Sequence, residues 1–164
     1  MLRIWALIPP RFICLLIAAA SADLLIIALA FEHIGGYLPC SLCIAQRWPH
    51  LFIILFGLAG FIFHQPKQHL AIQGLLAFAI AGIALYHVGV EQSWWAGPSG
   101  CSSNLDTSDL SSLTDALLAA PMVKCDEIAW SFIGLSMAGW HMLASLALSG
   151  LALAGYMKAR ASTQ

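Results

Sequence analysis

Charge is what this chain has least of: 7 Lys and Arg and 8 Asp and Glu among 164 residues, 9% in all, against about 25% in a soluble domain. A water-soluble globular protein is thereby excluded. No cluster of Lys and Arg makes a basic patch, so nucleic acid is not an expected partner, and no glycine-rich loop is built to cradle phosphate. C-x-x-C occurs once, at Cys40 and Cys43, which leaves half of a four-thiolate zinc site missing, and no metal is expected. A c-type haem is excluded too, because Ile44 stands where C-x-x-C-H requires histidine.

What is present is hydrocarbon. Hydrophobic residues make up 60% of the sequence, the mean hydropathy is +0.84, and four apolar stretches approach or exceed the roughly 17 to 25 residues that cross a bilayer as a helix. These predict an all-α, single-domain integral membrane four-helix bundle over 1–164, with spans at about 12–31, 44–63, 70–88 and 138–157. Arg3 and Arg11 ahead of an apolar run ending in Ala20-Ser21-Ala22 give the first stretch the look of a cleaved signal. The run continues through Leu24 to Phe31, however, so a retained span is expected. Arg3, Arg11, Lys67, Lys158 and Arg160 fall on one side of this arrangement, whereas loop 32–43 has no Lys or Arg and loop 89–137 only Lys124. Positive charge stays cytoplasmic, so both termini are predicted inside and both of these loops outside.

Four of the five cysteines then face outward: Cys40 and Cys43 in the first loop, Cys101 and Cys125 in the second. Two pairs on one oxidising face can trade electrons by thiol–disulfide exchange; Cys101 and Cys125 could equally staple the loop. Cys40 and Cys43 stand where a helix begins with Arg47 close by, a setting that lowers a thiol pKa. In the long loop, Trp94-Trp95-Ala96-Gly97-Pro98 reads as an interfacial aromatic pair and a turn. Leu110, Leu113, Leu117 and Leu118 follow at helical spacing, capped at Ser108 or Asp109 and ended near Pro121. That short amphipathic helix either lies flat on the membrane or packs on the outer ends of the spans.

Other polar residues carry expectations of their own. His87 closes the third span on the outer side, where it would either bond a ligand carbonyl or carry a proton, or bond a neighbouring loop; His33 is a weaker version of the same. Asp23, at mid-span, is expected protonated and bonded within the bundle. Cys14 reads as a packed small residue, and Gly57, Gly60, Gly74, Gly82, Gly150 and Gly155 as helix-packing positions. Pro49 is expected to disfavour helix at Trp48 unless the helix is only starting there, which unsettles the position of Arg47 one turn beyond Cys43.

Pro39-Cys40-x-Leu42-Cys43-x-x-x-Arg47, the two further outward cysteines, and Trp130-x-Phe132-x-Gly134-Leu135-x-Met137-x-x-Trp140 before the last span resemble the DsbB family of quinone-dependent disulfide-forming membrane proteins, over almost the whole chain. The resemblance implies a protein of the bacterial inner membrane with its redox loops in the periplasm. It would oxidise a soluble thioredoxin-fold dithiol oxidase of the DsbA type and pass the electrons to ubiquinone or menaquinone. Such a partner is a strong oxidant, at about −120 mV, so an ordinary protein disulfide would reoxidise it only uphill. Also by resemblance, Cys40-Cys43 and Cys101-Cys125 are redox disulfides. Cys43 attacks the quinone, Cys40 resolves, Arg47 stabilises the charge, and His87 tilts toward quinone binding. Cys101 takes the mixed disulfide, and the exchange runs through a transient Cys40 to Cys125 bond. The vitamin K epoxide reductase family, another four-helix quinone enzyme, usually has the reverse order of C-x-x-C and relay pair. A non-catalytic membrane adaptor with disulfide-stapled loops is the remaining alternative.

Overall fold

The computed structural model describes residues 8–98 and 124–162. Cys101 and the amphipathic helix expected at 110–121 lie outside the described residues.

Four long helices form: α1, Pro10–His33; α2, Ser41–Ile62; α3, Pro66–Glu91; and α4, Met137–Ala161. All are long and apolar enough to cross a membrane, and they reach two to four residues beyond most of the predicted ends. The extra length comes from the ends' own chemistry. Pro10 and Pro66 begin α1 and α3 at the first helical position, where proline's missing N–H is no loss. Polar side chains cap the other two: the Cys40 sulfur accepts from the Cys43 N–H at 3.2 Å, and Ser136 Oγ accepts from the Gly139 N–H at 3.1 Å.

Between the long third loop and α4 the chain makes a small antiparallel hairpin, β1 (Ser131–Phe132) and β2 (Leu135–Ser136). Its two central residues, Ile133 and Gly134, both have positive φ, 53° and 76°, the requirement of a tight primed turn. Glycine meets it without strain, and Ile133, branched at Cβ, does not.

α2 runs unbroken through Pro49, so the interruption expected at Trp48 does not occur. The helix has already begun at Ser41, and the loss is confined to one bond from the missing proline N–H toward the Ala45 carbonyl. Arg47 therefore does lie one turn beyond Cys43.

Ile13, Ile17, Ile53, Leu70 and Ile80 fill the core and are essentially inaccessible. Lipid tails are as apolar as these side chains, so close backbone approach rather than water exclusion holds the helices together. At Gly57 an added Cβ would lie 2.5 Å from Gln73 Nε2 and 2.6 Å from the Ala18 Cβ, and Gly60, Gly74 and Gly155 also face close neighbours. Gly82 and Gly150 have nothing within 4 Å of that point, so the packing role expected for them is corrected: they sit on outward faces. Asp23 is also corrected. It lies on the exposed face of α1, and its carboxyl makes no hydrogen bond among the described residues, because the α1 stripe that meets the bundle runs through Ile13, Ile17 and Ser21 instead.

Candidate functional site

The four helices enclose, at the end of the bundle that carries the C-x-x-C, a cavity of about 500 Å³. Its walls are mostly hydrocarbon, from Leu24, Ile27 and Phe31 of α1 and from Trp140 and Ala144 of α4, and its polar groups include Gln46, Arg47 and His50 of α2, His87 and Glu91 of α3, and His141 of α4. An apolar pocket with a few convergent polar groups is the usual form of a small-molecule site. Aromatic rings form its rim: Phe31 meets Trp130 edge-on at 5.3 Å and Trp130 stacks on Phe132 at 6.0 Å. The Trp140 indole N–H ties this rim to α4 through a 3.0 Å bond to the Phe132 carbonyl.

Cys40 and Cys43 both line the cavity. Both are free thiols, their sulfurs 2.7 Å apart. Cys40 is buried and Cys43 only partly so. On its other side Cys40 Sγ lies 3.7 Å from His87 Nε2, and His87 Nε2 lies 3.9 Å from a Glu91 carboxylate oxygen one turn further along α3. The hydrogen bond from the Cys43 thiol pulls the Cys40 thiol down to about 4, with a smaller contribution from His87 and against the opposing effect of burial. Donors placed around a sulfur in this way favour its thiolate form. His87, left open between a ligand or proton role and a bond to a neighbouring loop, thus sits beside Cys40 at the end of the first loop.

Arg47 lines the same cavity and donates to the Glu32 carboxylate at the end of α1, 2.5 Å away. Glu32 thus orients the guanidinium and offsets its charge, while the remaining N–H groups of the fork stay available.

Cys125 is disulfide-bonded and completely buried. It packs in one cluster with Cys40 and Val90, and its sulfur lies 3.9 Å from Ser41 Oγ. The structure therefore brings together Cys40, Cys43, Arg47, His87 and Cys125. It leaves out His33, an exposed residue whose ring N–H bonds the Leu29 carbonyl of its own helix at 3.1 Å. Cys14 is left out as well, buried at the other end of the bundle with its thiol toward the Pro66 carbonyl at 3.8 Å. Cys40, Cys43 and His87 have ligand atoms near enough to one another to suit a thiophilic cation.

Four cavity residues, Gln46, His50, Glu91 and His141, were not singled out by the sequence reading, and neither was Glu32, the partner of Arg47. A signal for some of them was there. Gln46 and His50 follow Cys43 at i+3 and i+7, on the helix face that Cys43 occupies, and ionisable groups within a span are functional by default. Nothing comparable links His141 to them, since it comes from a helix almost a hundred residues on.

The chain matches the family model described as "Disulfide bond formation protein DsbB" over residues 10–155. It is similar to proteins named Disulfide bond formation protein B from Polaromonas sp., at 30% identity over 88% of this chain and 90% of that one. For the protein of that name from Methylococcus capsulatus, the identity is 33% over 80% of this chain and 85% of that one. Disulfide bond formation protein B 2 of Pseudomonas aeruginosa is 32% identical over 76% and 79%. With a C-x-x-C at the start of its second span and a family match that runs through all four helices, this chain belongs to the DsbB family of disulfide bond formation membrane proteins.

Proposed function

We propose that the chain is a thiol:quinone oxidoreductase of the bacterial inner membrane, its termini cytoplasmic and its redox loops periplasmic. It reoxidises a thioredoxin-fold dithiol oxidase of the DsbA type and passes the electrons to ubiquinone or menaquinone. The observation that carries this reading is the position of Cys40, packed with Cys125 on one side and 2.7 Å from Cys43 on the other, at the wall of an apolar cavity. Thiol–disulfide exchange needs only a thiolate, a disulfide and access.

In this scheme a thiolate of the soluble partner attacks Cys101 of a Cys101–Cys125 disulfide, and Cys125 leaves as a thiolate. Cys125 attacks Cys40 of the C-x-x-C disulfide, freeing Cys43, and the partner's second thiol then takes the partner off Cys101 as a disulfide. When the two pairs have re-sorted, Cys40 and Cys43 hold both electrons and both protons. They give up two of each as their disulfide closes again. A quinone bound in the cavity supplies a two-electron, two-proton acceptor. Arg47 stabilises negative charge arising on the acceptor oxygen nearest Cys43, and His87 holds a proton between Cys40 and Glu91. The cavity would suit such a ligand: its polar groups would meet a flat head, and the hydrocarbon of Leu24, Ile27 and Ala28 a tail.

Purified protein, a soluble quinone and either a reduced thioredoxin-fold partner or a small dithiol test this reading. Cys101→Ala should lose oxidation of the protein partner yet still reduce quinone with the small dithiol, whereas Cys43→Ala should lose both. Absence of quinone reduction by the unsubstituted protein with either donor would leave the disulfide-stapled adaptor as the better account.

A further inference from the structure

Beneath the cysteines, three polar side chains, two of them buried and the third partly so, form a chain that the scheme above does not use. His50 lies two turns beyond Cys43 on the same face of α2, about 10 Å deeper along the helix axis. His50 Nε2 is 2.8 Å from His141 Nε2, and His141 Nδ1 bonds Gln46 Oε1. His50 is 2% exposed and Gln46 3%, and all three residues line the cavity.

The order of donors along this chain is fixed by valence. Gln46 Oε1 can only accept, so His141 carries its proton on Nδ1 and its Nε2 is the acceptor. His50 must then donate from Nε2, which leaves His50 Nδ1 as a bare lone pair. Neither that atom nor Gln46 Nε2 has a hydrogen-bond partner among the described residues. Leaving a buried polar atom unpaired costs about 1 to 3 kcal/mol. Both atoms belong to residues that line the cavity, and, one an acceptor and one a donor, they match a ligand whose oxygen is a carbonyl in one redox state and a hydroxyl in the other.

We propose that His50, oriented through His141 and Gln46, is the subsite for the reduced product, its Nδ1 accepting a hydrogen bond from the quinol hydroxyl remote from Cys43. The inference rests on the quinone reading above and deepens it. Binding the reduced form more tightly than the oxidised form raises the potential of the bound couple, so the wall draws electrons out of the C-x-x-C. His141 and Gln46 are positioning residues for this contact, because they set which His50 nitrogen is bare.

The test is equilibrium binding of a short-chain ubiquinone and its quinol to the detergent-solubilised full chain, with the midpoint potential of the bound couple as a second measurement. His50→Phe should weaken quinol binding about tenfold, the worth of one hydrogen bond, and leave quinone binding within about twofold. The bound couple should fall by about 30 mV, the equivalent of a tenfold change for two electrons. His141→Phe, which breaks the chain one residue further back, should move both quantities the same way and by less. It also carries the test if His50→Phe does not fold. Unchanged quinol affinity and potential in the variants would overturn the proposal, as would a loss falling on the oxidised form instead, which would mean that His50 Nδ1 carries a proton. If the unsubstituted protein bound neither form, the quinone reading would be the one to fail.

Discussion

Cys14 and Cys40 are both buried, at 0% and 4% exposure, yet they sit at opposite ends of the bundle in opposite company. Cys14 points its thiol at the Pro66 carbonyl, a bond only the protonated sulfur can make. Around it the core is closed: Gln73 Nε2 donates to the Cys14 and Ile53 carbonyls at 3.2 and 3.1 Å, and Gly57 and Gly60 let the backbones meet there. Cys40, at the opposite end, receives the Cys43 N–H and lies against the Cys43 thiol and His87. Burial alone makes a cysteine a small apolar residue. The donors and acceptors around it decide whether its sulfur can react.

The largest expected contrast is in turnover. Cys40→Ala should reduce quinone-linked oxidation of the protein partner to background, a loss of about a thousandfold or more for a residue that is itself a redox centre. Cys14→Ala should stay within about twofold, as for a packing residue. An equal loss from both, in protein of equal thermal stability, would break the comparison.

The next contrast concerns pH. Because the Cys40 pKa is depressed to about 4, from about 8.5 in an unfolded chain, the thiolate contributes stability that is fully present above about pH 8.5. That contribution shrinks as the pH falls and is gone below about 4. Thiolate absorbance of the reduced protein should therefore persist from pH 8 to pH 5 and fall with a midpoint near 4. Cys43→Ala should move that midpoint up most, and His87→Leu less, in the order of their contributions. A midpoint near 8.5 would return both buried cysteines to the same class.

The smallest contrast is in packing. Gly57→Ala, where the new methyl meets Gln73 and Ala18, should destabilise the bundle by about 1 to 3 kcal/mol, the usual cost of overpacking. Gly82→Ala meets nothing within 4 Å and should be neutral or gain up to about 1 kcal/mol from helix propensity. Thermal unfolding in detergent compares the two, and equal losses would mean that the outward face of α3 is covered.

The bundle was legible before any coordinates because twenty apolar residues in a row have one solution in a bilayer, a helix that satisfies its own backbone. The C-x-x-C at a helix start, Arg47 one turn on and His87 near a helix end could be read for the same reason, since each depends on position along one helix. Asp23 could not be read that way. A carboxyl's placement on the lipid or bundle side depends on which stripe of α1 meets its neighbours, and the Ile13, Ile17 and Ser21 stripe took the inside. Pro49 misled because proline's local cost falls on a helix already capped nine residues earlier at Cys40.

Composition and charge distribution thus determined a four-span membrane protein, and motif spacing determined where its thiols lie, because both follow from the bilayer and the helical repeat. Tertiary structure alone decided that Cys125 packs on Cys40, that Glu32 takes Arg47, and that His50 meets His141 across 91 residues of sequence. Those contacts join side chains from different helices, and no periodicity within one helix specifies which face of another it will touch.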